Sequence, residues 1–539
     1  MFKRWTVQLA LNSHLRAAQQ QHRRLTHNQA YITSPIYYVN AVPHIGHLYS
    51  SVIADTLRRF YAMKGYDATL TTGTDEHGLK IQQAAAKNNT TPLQLCDQVS
   101  QRFKDLCDKA NIDYTTFMRT TEQRHAKAVS HLWNTLLDAG HIYKGQHEGW
   151  YAISDEAFYP DNQVHQVTDD QGQTMMVSTE SGQKVEWTME ENYKFKLSAF
   201  ERPLLDWIEQ NPQAIVPANR KNEVISWIQA GLSDLSISRL RSRLDWGIPV
   251  PNDPQNHTIY VWLDALTNYM TAKGYPENDT NDILPAKVHV VGKDILRFHA
   301  VYWPAFLMAA NLPLPEQILA HAHWTMNKQK MSKSRGNVAD PFLVMDTYGV
   351  DTVRYYLMRD GGLADDGDYS EEEIKKRYKK DLAGMFGNLL NRSTGQALNP
   401  EGCVPGLTST AVDPRDQEIH DKLTALPGIF NMHFEDREFN KGFTAIMDTL
   451  TEANKHFTDN EPWKLKDQDQ KDRRDTVLYY ALETCRVAGI LLQPVMPTKM
   501  DELLSRLGVP DNQRFFANTI MAIDSRPLGP STGILFPRL

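Results

Sequence analysis

Two short runs of residues in this sequence have side chains that stabilise negative charge on phosphate groups. The first is His44-Ile45-Gly46-His47, and the second is Lys330-Met331-Ser332-Lys333-Ser334. Imidazole N–H groups and lysine ammonium groups both donate hydrogen bonds to phosphate oxygens. Gly46 has no Cβ, so the backbone there can approach a ligand closely. Chemistry at a phosphate depends mainly on positioning and on charge stabilisation of this kind.

The elements around the first run favour an anion site. Residues 31–38 are apolar and aromatic, as in a buried strand, and residues 48–63 carry apolar side chains near helical spacing. The two histidines therefore lie where a strand gives way to a helix, and a helix N-terminus favours an anion. The second run is polar, which predicts a flexible loop whose ammonium groups close over phosphates. Its alternative interpretation is a solvated basic turn.

Longer runs make the sequence resemble one known family. The two charged runs together resemble the paired signatures of class I aminoacyl-tRNA synthetases, which hold ATP from two sides. The wider pattern is most similar to the methionyl-tRNA synthetase family, in its organellar or bacterial-like form. The further runs that carry this resemblance are Thr72-Gly73-Thr74-Asp75-Glu76-His77-Gly78, Gly149-Trp150-Tyr151, Ser154-Asp155-Glu156, Asp234-Leu235-Ser236-Ile237-Ser238-Arg239, Trp246-Gly247-Ile248-Pro249, Tyr260-Val261-Trp262-Leu263-Asp264-Ala265, Gly292-Lys293-Asp294-Ile295, Gly387-Asn388-Leu389-Leu390-Asn391-Arg392 and Pro462-Trp463.

The resemblance implies amino-acid activation, in which the methionine carboxylate attacks the α-phosphate of ATP. This carboxylate is already ionised at neutral pH, so the reaction needs no general base. The implied catalytic residues, which stabilise the phosphates, are His44, His47, Lys330 and Lys333. The implied ATP-binding residues are these four together with Gly46, Gly292 and Asp294. Asp294 also has a structural interpretation, as a carboxylate favoured by a helix N-terminus.

A methionine pocket needs aromatic walls, because the substrate side chain is long, unbranched and polarizable. By the resemblance, Asp75 would hold the substrate ammonium. The other implied methionine-binding residues are Ile36, Tyr38, Trp262, Ala265, Tyr269, Ile295 and His299. In an unrelated protein, Trp262 and Tyr38 would more often be core aromatics, and His299 would more often be structural.

The chain of 539 residues is long enough for about two to four domains. The resemblance implies an α/β fold, in which a Rossmann-like nucleotide-binding domain with a connective insertion precedes an α-helical anticodon-binding bundle. Ser370 and Glu373 form a capping-box pattern at the start of that bundle. The expected boundaries are residues 1–30 for a transit peptide, 31–117 and 234–320 for the two catalytic halves, 118–233 for the insertion, 321–370 for a junction carrying the Lys330 loop, and 371–539 for the bundle.

The first 30 residues differ from the rest in charge. They carry five lysines and arginines and no acidic residue. The first acidic residue of the chain is Asp55. Val7, Leu11 and Leu15 recur at four-residue spacing and predict an apolar helix stripe. Such a leader is typical of mitochondrial targeting and predicts a matrix location. The alternative is a disordered basic tail that contacts RNA.

Three residues of the expected bundle are implied to read tRNA(Met). Asn388 and Arg392 are four residues apart, on one helix face, and Trp463 would stack on an anticodon base. Taken alone, Trp463 is more often a core aromatic and Arg392 more often a surface ion pair. The net charge of −7 requires a local basic face for RNA, and the candidates are residues 375–380 and the group Arg239, Arg241 and Arg243. Without an appended basic domain, we expect a monomer.

The cysteines predict no structural zinc. The chain has four, none in a Cys-x-x-Cys pair and none within residues 118–233, where many relatives carry zinc knuckles. We interpret His321 and His323 as strand-end residues beside the Lys330 loop. Mg²⁺ is expected only as the ion bound to ATP. No apolar run approaches the roughly 20 residues that span a bilayer, so no membrane insertion is expected.

Three other functions remain as alternatives. A class I synthetase for isoleucine, valine or leucine would need a larger insertion, and one for cysteine would need a metal site. A catalytically silent RNA-binding protein would have no need of both intact signatures and Asp75. Another nucleotidylyltransferase would have no use for the apparent anticodon domain.

Overall fold

The computed structural model describes residues 29–40, 42–152, 157–159, 161–168, 172, 174–179, 181–278, 285–331, 337–407, 412–531 and 533–539. The expected transit peptide lies outside the described residues, except for Gln29 and Ala30, which begin the first strand. Lys333 and its neighbours 332–336 also lie outside them. None of the described helices is long and apolar enough to cross a membrane.

A six-stranded parallel sheet forms the centre of the catalytic part, and its strands in spatial order are Thr116–Arg119, Asp67–Asp75, Gln29–Tyr38, Val288–Gly292, Ile318–His321 and Ile215–Val216. Its first strands alternate with helices, as the sequence pattern predicts. The elements up to the insertion are β1 (Gln29–Tyr38), α1 (Ile45–Met63), β2 (Asp67–Asp75), α2 (Leu79–Lys87), α3 (Pro92–Lys109), β3 (Thr116–Arg119) and α4 (Gln123–Asp138).

The central region of the chain adds a smaller antiparallel sheet, in the order β10-β8-β4-β5, and a separate hairpin of β6 and β7. This hairpin lies within residues 164–178. The elements are β4 (Ile142–Ala152), β5 (Ala157–Tyr159), β6 (Val164–Thr168), β7 (Thr174–Ser178), β8 (Glu186–Phe195), α5 (Glu201–Gln210), β9 (Ile215–Val216), α6 (Ala218–Gln229), β10 (Leu235–Ser236), β11 (Ser238–Leu240) and β12 (His257–Ile259).

One strand from within residues 118–233 returns to the central sheet. β9 pairs in parallel with β14 through Ile215 and Val216. Periodicity does not reveal a strand of two residues, because alternation needs about four residues to be recognised. The region expected as an insertion therefore also contributes an edge of the catalytic sheet.

The second half completes the sheet and leads into the junction. Its elements are α7 (Val261–Thr271), β13 (Val288–Gly292), α8 (Trp303–Ala309), β14 (Ile318–His321), β15 (Trp324–Met326), β16 (Gln329–Lys330), α9 (Pro341–Tyr348), α10 (Val350–Asp360) and β17 (Gly367–Asp368). A 3-10 turn at Lys293–Ile295 and a π-helical segment at Phe298–Tyr302 precede α8.

The remainder is mainly helical. Ser370 caps α11 by accepting a hydrogen bond from the backbone of Glu373, at 3.4 Å. The capping box is only half formed, because the N–H of Ser370 donates to the hydroxyl of Tyr356 instead of to Glu373. The elements are α11 (Glu371–Arg377), a π-helical segment (Tyr378–Gly387), α12 (Asn388–Thr394), β18 (Cys403–Val404), α13 (Gln417–Glu435), α14 (Phe439–Asp459), α15 (Lys471–Leu492), α16 (Pro497–Arg506) and β19 (Arg526–Pro527).

The topology of the central sheet explains where a ligand site forms. β1 lies in the middle, with β2 and β3 on one side and β13, β14 and β9 on the other. In open parallel sheets, ligands bind beyond the carboxyl ends of the strands, at the point where the strand order reverses. β1, β2, β13 and β14 end here at Tyr38, Asp75, Gly292 and His321. Residues far apart in sequence therefore meet at one edge.

Candidate active site

A cavity of about 440 Å³ opens at this edge of the sheet. It brings together all the residues expected to bind methionine. It also contains the residues expected to bind ATP, except Lys330 and Lys333, whose side chains lie outside the described part of the chain. Those that line it are Ile36, Tyr38, His44, Gly46, His47, Asp75, Trp262, Ala265, Tyr269, Gly292, Asp294, Ile295 and His299. The strand ends, the start of α1, helix α7, and the 3-10 turn and π-helical segment after β13 supply these residues.

The two signature histidines are held by the backbone at the start of α1. The ring Nδ1 of His44 accepts a hydrogen bond from the N–H of Gly46, and Nδ1 of His47 accepts one from the N–H of His44, both at 3.1 Å. A neutral imidazole that accepts at Nδ1 carries its proton on Nε2. Each histidine is therefore an Nε2–H donor, the form that binds a phosphate oxygen. A Cβ on Gly46 would lie 3.0 Å from the His44 ring, so glycine keeps that ring in place.

The aromatic wall of the cavity is reinforced from behind. Trp262 stacks on Phe298 with ring centroids 3.6 Å apart and planes 7° from parallel. Phe298 was not identified from the sequence, although it precedes His299 in the same π-helical segment. π-helical turns are frequent at functional sites.

Two polar side chains at the floor of the cavity fix each other. Nδ1 of His299 lies 2.9 Å from the carbonyl of Ile295, and its Nε2 lies 2.7 Å from the hydroxyl of Tyr269. A carbonyl only accepts, so Nδ1 carries the proton and Nε2 accepts from Tyr269. Burial lowers the pKa of His299 to about 4. The ring is therefore neutral at physiological pH, as an apolar substrate side chain requires.

Asp75 ends β2 and is 8% exposed. Its own carbonyl accepts a hydrogen bond from the N–H of Val39 at 3.2 Å, which joins the ends of β1 and β2. The position puts a carboxylate at the cavity wall, where a substrate ammonium needs one.

The side of the cavity expected to bind ATP contains two histidines that were not assigned to it from the sequence. Nε2 of His323 lies 2.9 Å from Oδ1 of Asp294, and Nε2 of His321 lies 2.7 Å from the hydroxyl of Ser50. Burial lowers the pKa of His321 to about 4. His321 ends β14, as a strand-end interpretation expects, but both histidines also line the cavity.

Other cavity residues were also missed by the sequence analysis. They include Tyr49, Ser50, Lys80 and Trp324. Lys80 lies with its ammonium 5.4 Å from the ring centroid of Tyr38. Their common signal is position, because each follows a signature run or the end of a central strand within a few residues.

The lysine loop reaches the cavity through Met331, which lines it. Lys330 lies in β16, whose backbone pairs with Thr325 of β15. The side chain of Lys330 and all of Lys333 lie outside the described part of the chain, so their expected contacts with phosphate stay predictions.

The expected anticodon residues lie in the helical part. The guanidinium carbon of Arg392 is 4.6 Å from the ring centroid of Phe457 and 5.4 Å from that of Trp463. Trp463 is 40% exposed, and Asn388 is exposed one turn before Arg392 on α12. The structure thus brings Arg392 and Trp463 together and leaves part of the Trp463 ring accessible. Phe457 was not identified from the sequence.

The candidate basic faces are only partly available. Lys375 and Lys376 form ion pairs with Glu372 and Glu373 on their own helix, at 2.8 and 3.1 Å. Arg239 is 4% exposed and lies over the ring of Tyr260, so it is not a surface residue for RNA.

Within the described ranges, no group of three or more His, Cys, Asp or Glu residues is arranged to hold a metal ion. Several residues of the region 118–233 lie outside those ranges, so the absence of structural zinc stays a prediction.

Comparison with known proteins assigns a family. A model of class I tRNA synthetases (M) matches residues 30–394, and a model of the anticodon binding domain of methionyl tRNA ligase matches residues 404–532. The mitochondrial methionine--tRNA ligase of Mus musculus is 46% identical over 95% of this chain and 92% of its own length. The probable mitochondrial methionine--tRNA ligase of Dictyostelium discoideum is 46% identical over 90% of this chain and 86% of its own.

Among solved structures, Mycobacterium tuberculosis methionyl-tRNA synthetase in complex with methionyl-adenylate matches with a TM-score of 0.89 and 40% identity. The match covers 95% of this chain and 100% of that chain. The parallel sheet, the cavity at its switch point and the helical domain are those of a class I aminoacyl-tRNA synthetase. Within that class, the chain belongs to the methionine--tRNA ligase family.

Proposed function

We propose that the cavity binds methionine and ATP side by side and joins them as methionyl-adenylate. A carboxylate oxygen of methionine attacks the α-phosphorus, and pyrophosphate leaves. A ribose hydroxyl at the 3′ end of tRNA(Met) then attacks the carbonyl of the adenylate, losing its proton, and AMP leaves. One observation carries the proposal: residues expected from separate parts of the sequence for methionine and for ATP line a single cavity.

Each wall has a role in this reaction. Asp75 binds the substrate ammonium, and the aromatic walls around Trp262 and Tyr269 hold the thioether side chain. The Nε2–H groups of His44 and His47 donate to the phosphates. Lys330 and Lys333 add positive charge as the transition state forms, because charge stabilisation is the main catalytic contribution at phosphorus.

Mg²⁺ enters this scheme with ATP. The carboxylates among the lining residues are Asp75 and Asp294, and the carboxylate of Asp294 is 61% exposed. Two separated carboxylates do not form a cage, whereas Mg²⁺ prefers phosphate oxygens and water. We therefore assign to the protein no role in holding the ion beyond binding the phosphates that carry it.

The proposed tRNA-reading surface consists of Asn388, Arg392 and Trp463. An exposed tryptophan beside a guanidinium suits the stacking of an unpaired base, which is how proteins read single-stranded loops. The enzyme acts as a monomer in this proposal, and light scattering of the purified protein with and without tRNA(Met) tests that statement.

We place the activity in the mitochondrial matrix. The relatives named above are called mitochondrial, and the basic, acid-free residues 1–30 are typical of a transit peptide. Fusion of residues 1–30 to a fluorescent reporter tests this location. A signal confined to the cytosol would contradict it.

The decisive experiment is ATP–pyrophosphate exchange with each of the twenty amino acids separately, without tRNA. Exchange with methionine alone is expected. Norleucine is expected to support weaker exchange, because an apolar pocket rejects near-isosteres poorly. Exchange with a different amino acid would keep the chemistry and overturn the pocket assignment. No exchange with any amino acid, with or without tRNA, would favour a silent RNA-binding protein.

A further inference from the structure

A buried carboxylate connects the two halves of the proposed methionine pocket. Asp264 is 1% exposed and lies on α7, the helix that supplies four residues of the cavity lining. Its Oδ2 lies 2.6 Å from Nδ1 of His77, and its Oδ1 lies 2.7 Å from Nε2 of His125. His77 follows Asp75 by two residues, and His125 lies in the first turn of α4. Asp264 therefore joins α7 both to the loop after β2 and to α4.

The charge of Asp264 sets the direction of these hydrogen bonds. Burial alone would raise its pKa, but the attraction of His77 and the hydrogen bond from His125 lower the pKa of Asp264 to about 2. An ionised carboxylate only accepts hydrogen bonds. His77 therefore donates from Nδ1 and His125 donates from Nε2. Charge-assisted bonds of this kind are short and strong in a buried site.

The loop that follows Asp75 begins with Glu76, which is fully buried and fixes the loop at that end. The carboxylate of Glu76 accepts from the guanidinium of Arg119, at 2.6 and 3.0 Å, and from the hydroxyl of Thr74, at 2.7 Å. Its N–H donates to Thr120 at 2.9 Å. These bonds hold the loop against the central sheet. The bond between His77 and Asp264 then fixes the same loop relative to α7.

We propose that Asp264 is a positioning residue for methionine, which acts through His77 to set the spacing between Asp75 and the α7 side chains Trp262, Ala265 and Tyr269. The inference rests on the proposed function, because it takes Asp75 as the partner of the substrate ammonium. The ammonium and the thioether of methionine are joined through one short chain, so both contacts are made together only at the right spacing. A shift of either wall weakens both.

The ATP half of the cavity stands on other elements. His44, Gly46 and His47 are placed by α1, and Gly292 and Asp294 by the end of β13 and the turn after it. The hydrogen bonds of Asp264 run to His77 and His125. Loss of the carboxylate should therefore change the binding of methionine and leave that of ATP unchanged.

The test is Asp264→Asn in the full-length enzyme, measured by methionine-dependent ATP–pyrophosphate exchange. We expect the KM for methionine to rise about 10- to 100-fold, the loss seen when an orienting partner is removed. The KM for ATP and the rate per titrated active site should stay near their values in the unsubstituted enzyme. A role confined to folding would instead lower the number of active sites and leave both KM values unchanged.

Substitutions at His77 provide a test that does not depend on the folding of Asp264→Asn. The amide nitrogen of asparagine replaces Nδ1 of histidine, so His77→Asn keeps a donor to Asp264, whereas the similarly sized apolar His77→Leu has none. We expect His77→Leu to raise the KM for methionine as Asp264→Asn does. The KM of His77→Asn should stay close to that of the unsubstituted enzyme. In a double-mutant cycle, Asp264→Asn should add little to the methionine KM of His77→Leu, because both substitutions break the contact between Asp264 and His77 through which the effect is proposed to act.

Asp416→Asn is the matched control. Asp416 forms a similar buried pair with His456 at 2.6 Å, but in the helical domain. It should leave the KM for methionine unchanged in an assay without tRNA. An unchanged KM for methionine in both Asp264→Asn and His77→Leu would overturn the proposal. A rise in the KM for ATP as large as the rise in the KM for methionine would also overturn it. Failure of the unsubstituted enzyme to exchange with methionine would overturn the proposed function instead.

Discussion

Among individual residues, His47 performs two tasks with its two ring nitrogens. Nδ1 accepts a hydrogen bond from the backbone N–H of His44 at the start of α1, while Nε2 carries the proton that His47 donates to phosphate in the proposed function. The amide of asparagine reproduces an acceptor near Nδ1, and that of glutamine reproduces a donor near Nε2. Side-chain replacement can therefore separate the structural task from the catalytic one.

We predict that His47→Asn lowers kcat for pyrophosphate exchange by about 100- to 1,000-fold, the usual loss for one donor to a transition-state oxyanion. Its melting temperature should stay close to that of the unsubstituted enzyme, because the acceptor at the helix start remains. His47→Gln should keep more of the activity and lose more of the thermal stability. The reverse order of the two variants in both assays would contradict the assignment of the two nitrogens.

A second prediction concerns the buried neutral histidines of the cavity. Burial lowers the pKa of His299 and of His321 from 6.5 to about 4. Between pH 6.5 and pH 4 the unfolded chain binds protons at these rings that the folded protein does not. The free energy of unfolding should therefore fall as the pH drops through this window. The stabilising contribution of the two neutral rings is fully present above it. Urea denaturation from pH 4 to pH 7.5 measures the slope.

The matched variants for this slope are His299→Asn and the exposed His165→Asn. Replacing His299 removes one of the protons taken up on unfolding, so the pH dependence should become shallower. Replacing His165 should leave it unchanged. Equal slopes in all three proteins would show that other groups dominate the acid sensitivity.

Among the elements, α12 and the 3-10 turn Pro462–Lys464 together form the proposed base-reading surface. Arg392 lies over Phe457 and beside Trp463, whose indole is partly exposed. The surface lies on helices separate from the strand ends that form the cavity. Adenylate formation and tRNA recognition should therefore respond to different substitutions.

We predict that Trp463→Ala weakens tRNA(Met) charging by the loss of one stacking contact, about 1–3 kcal/mol, which appears as a higher KM for tRNA. Pyrophosphate exchange with methionine should be unchanged. Trp463→Phe keeps an aromatic face and should restore most of the charging. An equal fall in charging and exchange would place Trp463 in the core of the helical domain instead.

The elements also show what the sequence could and could not predict. The runs around His44, Asp75, Trp262 and Gly292 could be matched to the family because each is a short local run, and the expected site residues followed from that resemblance. The start of α1 was missed by three residues because a histidine, not one of the usual Ser, Thr, Asp or Asn residues, caps it. His323 and Phe298 were not assigned to the cavity because contacts across segments place them, a hydrogen bond to Asp294 for His323 and stacking on Trp262 for Phe298, and neither contact leaves a local pattern.

In the whole molecule, the catalytic and helical parts share a hydrophobic core. Phe60 of α1 packs against Phe430 and Phe434 of α13, with ring centroids 6.3 and 5.3 Å apart. The same helix begins at the signature histidines. The helical domain therefore packs directly against the helix that begins beside His44 and His47, the residues proposed to bind phosphate.

Arg354 lies at the polar centre of this contact and is fully buried. It donates to Asp55 on α1, to the carbonyls of Ala110 and Asn111 after α3, and to those of Pro494 and Val495 before α16, over distances of 2.5 to 3.2 Å. Burial alone would raise the pKa of Asp55, but the positive charge of Arg354 lowers it. One side chain thus donates hydrogen bonds to acceptors from three separate segments of the chain.

We predict that Arg354→Met lowers the free energy of unfolding by about 3–5 kcal/mol, because it leaves a buried carboxylate and four carbonyls without this donor. Lys441→Met, which breaks the exposed ion pair with Glu438, should cost less than about 1 kcal/mol. Urea denaturation followed by tryptophan fluorescence and by residual exchange activity compares the two. Since Arg354 bridges both parts, the substitution should also separate a single transition into two, with the helical part and the active site unfolding at different urea concentrations. A single transition with unchanged midpoint would show that the shared apolar core, rather than this arginine, couples the two parts.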